Sequence, residues 1–326
     1  MFIKKLFKYT AILSSILLLF FIGACTVLKQ PDVQPKVTEA PLVQADSLKK
    51  HVYFFSETVY PRSFDSIDHL NLAADYIKNE FVQTGAQVTE QTFEVDGVTY
   101  RNIIASFGPQ NAEPIIVGAH YDSCTDTPGA DDNASGVAGL IELAKLLGKN
   151  KPKHPIQLIA YTLEEPPYFR TENMGSAVHA RSIKVAGQKI KLMISLEMIG
   201  YFSDEENSQE YPMGFLGKIY PTTGHFIAIV GRFADIKPIR QSKSLFAGAT
   251  DLPVYSLNAP AALTKGLDFS DHLNYWANGF NAIMVTDTAF FRNKNYHQVT
   301  DTVDTLDYQR MAKVVQGVYA IIQHYE

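Results

Sequence analysis

Residues 115–148 read IIVGAHYDSCTDTPGADDNASGVAGLIELAKLLG, and this stretch decides the fold class. It opens on the apolar run Ile115–Ala119, which predicts a short buried strand. A helix is predicted over residues 135–147, because apolar side chains recur there at helical spacing, and Gly148 ends it. The apolar positions of this helix are Val137, Leu140, Ile141, Ala144 and Leu147. A buried strand followed by such a helix is the repeating unit of a sheet with helices on its faces.

The same alternation continues on both sides of this stretch. Helices are predicted over 66–84 and Leu306–Tyr325, and alternating strands near 87–95 and 99–107. Further short buried strands are predicted at Ile156–Thr162, Leu192–Leu196 and Ala282–Thr286. Continuous apolar strands interleaved with helices predict an α/β fold: a three-layer sandwich in which a mixed, mostly parallel β-sheet is flanked by helices.

Length and composition exclude several classes of protein. The chain has 326 residues, of which 46% are apolar, which excludes a disordered or fibrous protein. Its 29 basic and 34 acidic residues give a formal net charge of −5. Because no basic run is present, we expect no nucleic-acid partner. Two cysteines are too few for a disulfide scaffold.

The N-terminus has the features of an export signal. Three lysines within the first eight residues precede the uncharged stretch Ala11–Ala24, which suits a signal peptide and falls short of the roughly 20 apolar residues of a spanning helix. The stretch ends in Ile22-Gly23-Ala24-Cys25, which resembles the lipobox of bacterial lipoproteins. We therefore predict a lipoprotein signal peptide over residues 1–24. An ordinary secretory signal and a plain membrane anchor are the alternatives.

The lipobox resemblance implies attachment to a membrane. Cleavage would make Cys25 the first residue, and its thiol would become diacylated, with the lipid bilayer as a partner. Residues 25–45 are predicted to form a flexible tether, because prolines lie there among polar neighbours. The remaining residues, 46–326, are predicted to form one domain. We expect this domain in the bacterial cell envelope, facing the periplasm or the exterior.

Potential metal ligands follow the ends of the predicted strands. In chain order they are His120, Asp122, Asp131, Asp132, Glu164, Glu165, Glu197 and His297. Carboxyl ends of parallel strands meet at one edge of a sheet, where α/β folds build their sites. Two histidines and several carboxylates suit a catalytic Zn²⁺, which takes nitrogen and oxygen ligands and keeps an open position.

Local spacing assigns different tasks to several of these residues. On an extended segment His120 and Asp122 share a face, so the carboxylate is able to orient a ligating imidazole. Adjacent Glu164 and Glu165 point different ways, so one is able to ligate metal while the other acts as a general base. Glu197 lies in an apolar run, where a carboxylate is costly unless it is paired or ligating.

Two nearby residues are predicted to play no part in the chemistry. Asp131 is expected only to cap the helix over 135–147 or to lie in its first turn. Cys124 lies in the loop next to the predicted site, but no activating partner is visible in the sequence, so we expect no catalytic thiol.

Taken together, the motifs resemble those of the co-catalytic di-zinc aminopeptidases, the family of bacterial leucyl aminopeptidases and aminopeptidase Y. Glutamate carboxypeptidase II and the glutaminyl cyclases are more distant relatives. The motifs occur in family order as His-x-Asp, Gly-x-Asp-Asp-x-x-Ser-Gly, Glu-Glu, Glu-Met-Ile-Gly and a late Tyr-His. Ser270-Asp271-His272 also resembles a family segment. The resemblance covers the chain from about residue 46 to its end and implies the zinc exopeptidase fold.

This resemblance implies a site with two zinc ions. Asp132 would bridge them, His120 and Glu197 would complete one site, and Glu165 and His297 would complete the other. Many family members have Asp where Glu197 stands, and either carboxylate is able to ligate.

The resemblance also implies roles for residues around the metals. Glu164 would be the general base, and Tyr296 would donate a hydrogen bond to the oxyanion. Three further residues would not bind metal but would lie around the ligands and help to orient them: Asp122, Asp271 and His272.

The implied function is an aminopeptidase that hydrolyses peptides or aminoacyl compounds with a free N-terminus. A glutaminyl cyclase with a single zinc is the first alternative, although cyclases bury tryptophans at the substrate pocket and this chain has only Trp276. A non-catalytic binding protein is the second alternative. Carboxypeptidase or dipeptidase action stays open, and so does the side-chain preference, because loops in 201–270 with no readable motif are expected to build that pocket.

Overall fold

The computed structural model describes residues 2–29, 35–36 and 38–326, and in this part of the chain the predicted α/β architecture is confirmed. Its strands are β1 (Gln87–Val95), β2 (Val98–Phe107), β3 (Ile115–His120), β4 (Ile156–Tyr161), β5 (Leu192–Glu197), β6 (Ile227–Gly231), β7 (Val254–Asn258) and β8 (Ala282–Thr286). Its α-helices are α1 (Phe2–Lys29), α2 (Ala45–Tyr53), α3 (Ile67–Gln83), α4 (Gly136–Lys149), α5 (Gly175–Val185), α6 (Ile236–Ala249), α7 (His272–Ala277) and α8 (Tyr308–His324). The predicted elements agree with these bounds to within one or two residues.

The eight strands form one mixed sheet in the order β1-β2-β4-β3-β5-β8-β6-β7. The central strands β4, β3, β5 and β8 are parallel to one another, while β2 and β6 flank them in the antiparallel direction. The carboxyl ends of the four central strands therefore meet at one edge of the sheet. Three of these strands end at, or just before, the predicted ligands His120, Glu165 and Glu197.

Helices cover both faces of the sheet. The larger core lies between one face and the helices α2, α3, α4, α6 and α8, with Val117, Leu140 and Val315 among its buried residues. A smaller core on the opposite face packs Ile159 and Met193 against α5 and α7. Because the central strands are buried on both faces, they read in sequence as continuous apolar runs.

The sequence analysis assigned no strand or helix within residues 201–270, and the structure places β6, α6 and β7 there. Strand β6 pairs with β8 and β7 pairs with β6, so this segment extends the sheet beyond the predicted strands. Helices α5 and α7 were not predicted either.

The N-terminal region is described in part. Cys25 lies within α1, but its side chain is outside the described residues, as are residues 30–34 and 37. Within the described chain, no helix combines the length and the apolar content that crossing a membrane requires. The signal peptide over residues 1–24 and the lipidation of Cys25 stay predictions.

The last residues of the predicted tether lie against the domain. The Thr38 amide donates to the Gly248 carbonyl, and the Gln316 side chain donates to the Pro41 carbonyl. Val43 also packs against the larger core. The described residues Lys29 and Lys36 also contact the domain, through Ser256 on β7 and Ser244 on α6. A flexible tether over residues 25–45 stays a prediction.

Candidate metal centre

The five predicted ligands converge at the carboxyl edge of the sheet. His120 is the last residue of β3 and Glu197 the last residue of β5, while Glu165 lies in the turn after β4. Asp132 belongs to a π-helical turn, Ala130–Ser135, that precedes α4, and His297 lies in the loop after β8. Side chains far apart in sequence are thus brought together by the parallel order of the strands.

The backbone turns sharply beside three of these ligands. Leu163, Met198 and His297 have φ values of +60°, +50° and +55°, in the left-handed region that residues with a Cβ rarely adopt. Such conformations persist only where the surrounding structure enforces them, and they cluster at functional sites. Here they lie at, or next to, the predicted site residues Glu164, Glu197 and His297.

Asp132 occupies the middle of the group. One of its oxygens lies 3.3 Å from His120 Nε2, and the other lies 3.2 Å from His297 Nε2. His120 Nε2 is also 3.4 Å from the Glu197 carboxylate, and His297 Nε2 is 3.2 Å from the Glu165 carboxylate. The five side chains therefore form two adjoining sets, each with one histidine and one glutamate, that share Asp132.

These atoms fit a metal ion. His120 Nε2, His297 Nε2 and Glu165 Oε1 are buried atoms without a hydrogen-bond partner in the described chain, where such atoms normally have one. Ligand atoms of His120, Asp132 and Glu165 lie within 4.8 Å of one another. Nitrogen and oxygen donors at this spacing suit Zn²⁺, whose bonds to them are about 2.0–2.2 Å long.

The electrostatics of the site also favour a bound cation. Burial and the neighbouring charge of Asp132 together raise the pKa of Glu165 to about 7, against the opposing effect of His297. Burial alone would lower the pKa of His120, but the charges of Glu197 and Glu164 raise it well above the ordinary value. For Asp132, burial is outweighed by the neighbouring imidazoles of His120 and His297, which lower its pKa. The carboxylates outnumber the histidines, so a divalent cation would relieve their repulsion.

Glu164 differs from Glu165 in its surroundings. Its carboxylate is buried and lies 3.9 Å from His120 Nε2, farther than the carboxylates of Asp132 and Glu197. Burial raises the pKa of Glu164 well above its ordinary value. The structure thus brings Glu164 beside the ligands, at the greater distance that a general base would need.

Asp122 supports two ligands at once. Its carboxylate accepts a hydrogen bond of 3.0 Å from the Glu165 amide. His120 Nδ1 donates to the Asp122 carbonyl at 3.1 Å and lies 3.5 Å from the Asp122 carboxylate. Both ligands are therefore oriented by one residue, through its main chain as well as its side chain.

The other predicted supporting residues have different neighbours. Asp271 is buried, and burial raises its pKa to about 7 against the opposing charge of His120. His272 Nε2 donates to the Leu267 carbonyl, and its ring packs edge-on against Trp276 at 4.4 Å. Burial lowers the pKa of His272 to about 4, so this side chain is neutral at neutral pH.

A cleft of about 540 Å³ opens onto the ligands. Its lining residues are Asp132, Glu164, Glu165, Pro166, Phe169, Glu197, Phe269, Tyr296 and His297. The Tyr296 ring stacks on His297 with 3.8 Å between ring centroids. Burial and the surrounding carboxylates raise the pKa of Tyr296, so its hydroxyl keeps its proton and is able to donate a hydrogen bond.

An apolar pocket of about 810 Å³ adjoins this cleft. The two share Glu197, Phe269 and Tyr296. Most of its walls come from the segment 201–270, in which no motif was readable, and they include Tyr211, Leu216, Phe226 and Tyr255. Met284 on β8 and Phe290 in the loop after it add to the lining.

The sequence interpretation of Asp131 was wrong. Ser135 stands directly before α4, whereas Asp131 is fully buried and makes no contact that caps this helix. Its carboxylate accepts from the Gly200 amide at 3.0 Å and from the Asn293 side chain at 2.8 Å. Asp131 thereby ties the segment after Glu197 to the loop that carries His297.

Two further buried residues, Asp301 and Arg62, hold the loop of Asp132. The Asp301 carboxylate accepts hydrogen bonds from the amides of Asp131 and Asp132. Arg62 is fully buried and donates to the carbonyls of Pro128 and Gly129 at the start of this loop. Arg62 has no sequence motif around it. The contacts of Asp301 with Asp131 and Asp132 span about 170 positions, so only the fold reveals them.

Comparison with known proteins places the chain among peptidases. The sequence model of peptidase family M28 matches residues 102–322. The uncharacterized protein YfbL of Escherichia coli is 49% identical over 319 residues, which are 95% of this chain and 98% of that protein. A probable leucine aminopeptidase of Trichophyton verrucosum is 28% identical over 277 residues, covering 79% of this chain and 67% of that protein.

Solved structures share the fold at lower sequence identity. A leucine aminopeptidase precursor from Bacteroides thetaiotaomicron has a TM-score of 0.67 at 21% identity, covering 89% of this chain and all of that one. A glutaminyl cyclase from the same organism, bound to N-acetylhistamine, has a TM-score of 0.66 at 21% identity, covering 88% of this chain and all of that one. The two likenesses are nearly equal, so the fold alone does not choose between these activities.

Proposed function

The chain belongs to peptidase family M28, and on that premise we propose that it is a zinc-dependent aminopeptidase that removes N-terminal residues from peptides. It would hold two Zn²⁺, one by His120 and Glu197 and the other by Glu165 and His297. The observation that carries the proposal is the position of Asp132, whose two oxygens face different histidines at 3.3 and 3.2 Å. One carboxylate between two histidine–glutamate sets is the arrangement that two-metal hydrolysis requires.

The residues around the ligands supply the proton transfers. Zinc bound here would polarise the scissile carbonyl and lower the pKa of the attacking water. Glu164, buried beside the ligands, would take a proton from that water and pass it to the leaving amine nitrogen. The Tyr296 hydroxyl, at the rim of the cleft, would donate a hydrogen bond to the carbonyl oxygen as negative charge develops there.

Metal binding supports selection of a free N-terminus. Four carboxylates line the cleft, at Asp132, Glu164, Glu165 and Glu197, and two zinc ions would neutralise them. A free substrate amine would bind one of these ions, whereas an acetylated nitrogen is a poor metal ligand and adds bulk. The enzyme is therefore proposed to act as an exopeptidase on free N-termini.

The adjoining apolar pocket supports a preference for large apolar N-terminal side chains. It reaches the ligands through Glu197, and its wall residues Phe226 and Met284 offer aromatic and aliphatic contacts. Burying an apolar side chain in such a pocket is favourable by about 0.8 kcal/mol for each CH₂ group removed from water. We propose that leucine and phenylalanine are removed faster than alanine, glutamate or lysine.

A substrate panel combined with metal analysis tests these proposals. Aminoacyl amides and short peptides with free or acetylated N-termini are offered to the purified full chain, and bound zinc is quantified in the same preparation. We expect close to two zinc ions per chain and hydrolysis of free N-termini only, with leucine and phenylalanine preferred. A chelator should abolish hydrolysis, and added zinc should restore it.

Other outcomes would point to the alternatives. One zinc per chain, with pyroglutamate formed from N-terminal glutamine and no peptide cleavage, would identify a glutaminyl cyclase. Two zinc ions per chain without turnover of any substrate would identify a non-catalytic binding protein. Release of residues from the C-terminus would replace aminopeptidase by carboxypeptidase action.

A further inference from the structure

Cys124 lies against the ligand pair of one proposed zinc position. Its thiol sulfur and ligand atoms of Glu165 and His297 all lie within 4.8 Å of one another. Cys124 is a free, partly exposed cysteine in the loop between β3 and the turn that carries Asp132. The sequence interpretation gave this residue no role, because Glu165 and His297 lie 41 and 173 positions farther along the chain.

A second observation points to a cation at the same place. Glu165 is 4% exposed, and its Oε1 atom is a buried acceptor with no hydrogen-bond partner in the described chain. His297 Nε2 is likewise buried without a partner, 3.2 Å from the Glu165 carboxylate. Two such atoms beside a thiol form a nitrogen, oxygen and sulfur donor set, which is a set that Zn²⁺ binds.

We propose that Cys124 is a sulfur ligand of the metal held by Glu165 and His297. On metal binding the thiol releases its proton to solvent, and the thiolate sulfur forms the new bond to zinc, so no oxidant or reductant is required. A Zn–S bond of about 2.3 Å is longer than a Zn–N or Zn–O bond. A sulfur at the observed spacing therefore reaches a metal between Glu165 and His297 with little movement of the loop.

The proposal makes the two zinc positions chemically different. The position of His120 and Glu197 has nitrogen and oxygen donors only, whereas the position of Glu165 and His297 gains a soft thiolate. Soft ligands favour Zn²⁺ over Mn²⁺ and Mg²⁺, which prefer oxygen. The Cys124 position should thus be the more selective one for zinc. This inference rests on the proposed function, because it requires metal at the Glu165–His297 position.

Cobalt substitution provides the direct test. The full chain is purified with Cys25→Ser, so that Cys124 is the only thiol, and metal-free protein is titrated with Co²⁺. A thiolate bound to Co²⁺ gives a near-ultraviolet charge-transfer band, and we expect this band to rise with one of the two metal equivalents. Cys124→Ser in the same background should lack the band and bind one equivalent at least about tenfold more weakly.

Thiol labelling provides an independent readout. Zinc should slow the reaction of Cys124 with a thiol reagent at least about tenfold, since a metal-bound thiolate is withdrawn from reaction. In His297→Ala, which lacks the imidazole of that position, zinc should no longer protect Cys124. The Cys124 proposal is overturned if both metal equivalents bind and peptides are hydrolysed, while the band is absent and labelling is unaffected by zinc. A band without any hydrolysis would instead retain the ligand and overturn the aminopeptidase.

Discussion

Glu164 and Glu165 are neighbours in sequence but face different partners. The Glu165 amide is fixed by the Asp122 carboxylate, which directs the Glu165 side chain to within 3.2 Å of His297. Glu164 follows Leu163, whose φ of +60° turns the chain at the end of β4. The Glu164 carboxylate lies 3.9 Å from His120 Nε2, whereas the Asp132 carboxylate lies 3.3 Å from the same atom. This separation is the structural basis for assigning proton transfer to one residue and ligation to the other.

Replacing these two glutamates should therefore have different effects. Glu164→Gln should keep both metals but lower kcat by about 10²–10⁴, the usual contribution of a positioned general base. Glu165→Gln should lose one metal equivalent. Metal analysis and kcat on the same preparations check both outcomes, with Glu113→Gln, at an exposed position, as the matched control. Full activity of Glu164→Gln would remove Glu164 from the mechanism.

Arg62 is a buried cation that holds the start of the loop of Asp132 by hydrogen bonds. It is fully buried and donates to the carbonyls of Phe55, Tyr121, Pro128 and Gly129. Burial lowers its pKa to about 10, against the charges of nearby carboxylates, so it stays charged at neutral pH. Removing Arg62 would take away the hydrogen bonds that these carbonyls accept from it, and it would leave the nearby carboxylates of Asp132 and Asp301 without this buried positive charge.

Arg62→Met should accordingly destabilise the protein by about 3–5 kcal/mol, the range for breaking a buried charged interaction. Arg240 is exposed, and Arg240→Met should change the free energy of unfolding by less than about 0.5 kcal/mol. Urea denaturation of both variants measures the difference. Equal stabilities would show that main-chain contacts alone hold the loop of Asp132.

At the scale of single residues, the sequence predicted the side chains that stand in motifs and missed those that act across the fold. His120, Glu165 and Glu197 were singled out because they end, or closely follow, apolar runs that predict strands. Arg62 was not singled out because its partners are distant in sequence and no spacing rule links them. The contact of Asp131 with Asn293 spans 162 positions, so helix capping was the only reading its neighbours suggested.

Among the secondary-structure elements, α2, α3 and α4 are joined by a buried polar cluster. The Glu142 carboxylate on α4 accepts from Ser47 on α2 at 2.6 Å and from Lys145 at 3.0 Å. It also lies 3.3 Å from His51, which contacts Tyr76 on α3. Burial would raise the pKa of Glu142, but hydrogen bonds from His51, Ser47 and Lys145 lower it to about 2. This cluster fixes the helix layer that supports the loop of Asp132.

The lowered pKa of Glu142 predicts how stability changes with pH. The unfolded-state pKa of a glutamate is about 4.3, so the charged form is favoured in the folded state. Its contribution is present above pH ~4.3 and is lost as the pH falls towards about 2. Glu142→Gln should be less stable than the wild type by about 1–3 kcal/mol at pH 7, and this gap should close between pH ~4.3 and 2.

Urea denaturation with a chelator present, so that metal loss does not contribute, measures this gap at several pH values. Glu94→Gln, at an exposed position on β1, is the control and should show no pH-dependent difference from the wild type. A gap that is constant with pH would mean that Glu142 acts by packing rather than by charge.

Element prediction succeeded for the four central parallel strands and failed for β6 and β7, which extend the sheet beyond them. Strands β3, β4, β5 and β8 read as continuous apolar runs because helices cover them on both sides. Strand β6 is as short and as buried as β8, and its place in the sheet is specified by its pairing with β8, more than 50 positions away. Such pairing is a property of the assembled sheet, so periodicity alone left residues 201–270 without assigned elements and the apolar pocket unpredicted.

For the molecule as a whole, the placement of the N-terminal segment bears on where the enzyme would work. The chain meets the domain earlier than residue 38: the Lys29 carbonyl accepts a hydrogen bond from Ser256 on β7, and the Lys36 amide donates to the Ser244 carbonyl on α6. If Cys25 is the lipid anchor, four positions separate it from Lys29, and a chain of that length spans only about 10–12 Å. The domain would then lie close to the bilayer surface, and the protein would act on peptides near the membrane rather than far from it.

Anchoring through Cys25 predicts a change of location without a change of chemistry. Cys25→Ser should move the protein from the membrane fraction to the soluble fraction, because serine has no thiol to acylate and the protein then lacks its lipid anchor. The kcat on a free leucyl amide should stay the same. Cys124→Ser is the matched control and should stay with the membrane. Fractionation followed by activity measurement in each fraction tests this. An unchanged distribution of Cys25→Ser would show that another segment holds the protein to the membrane, and the short tether would lose its role in confining the enzyme to the bilayer surface.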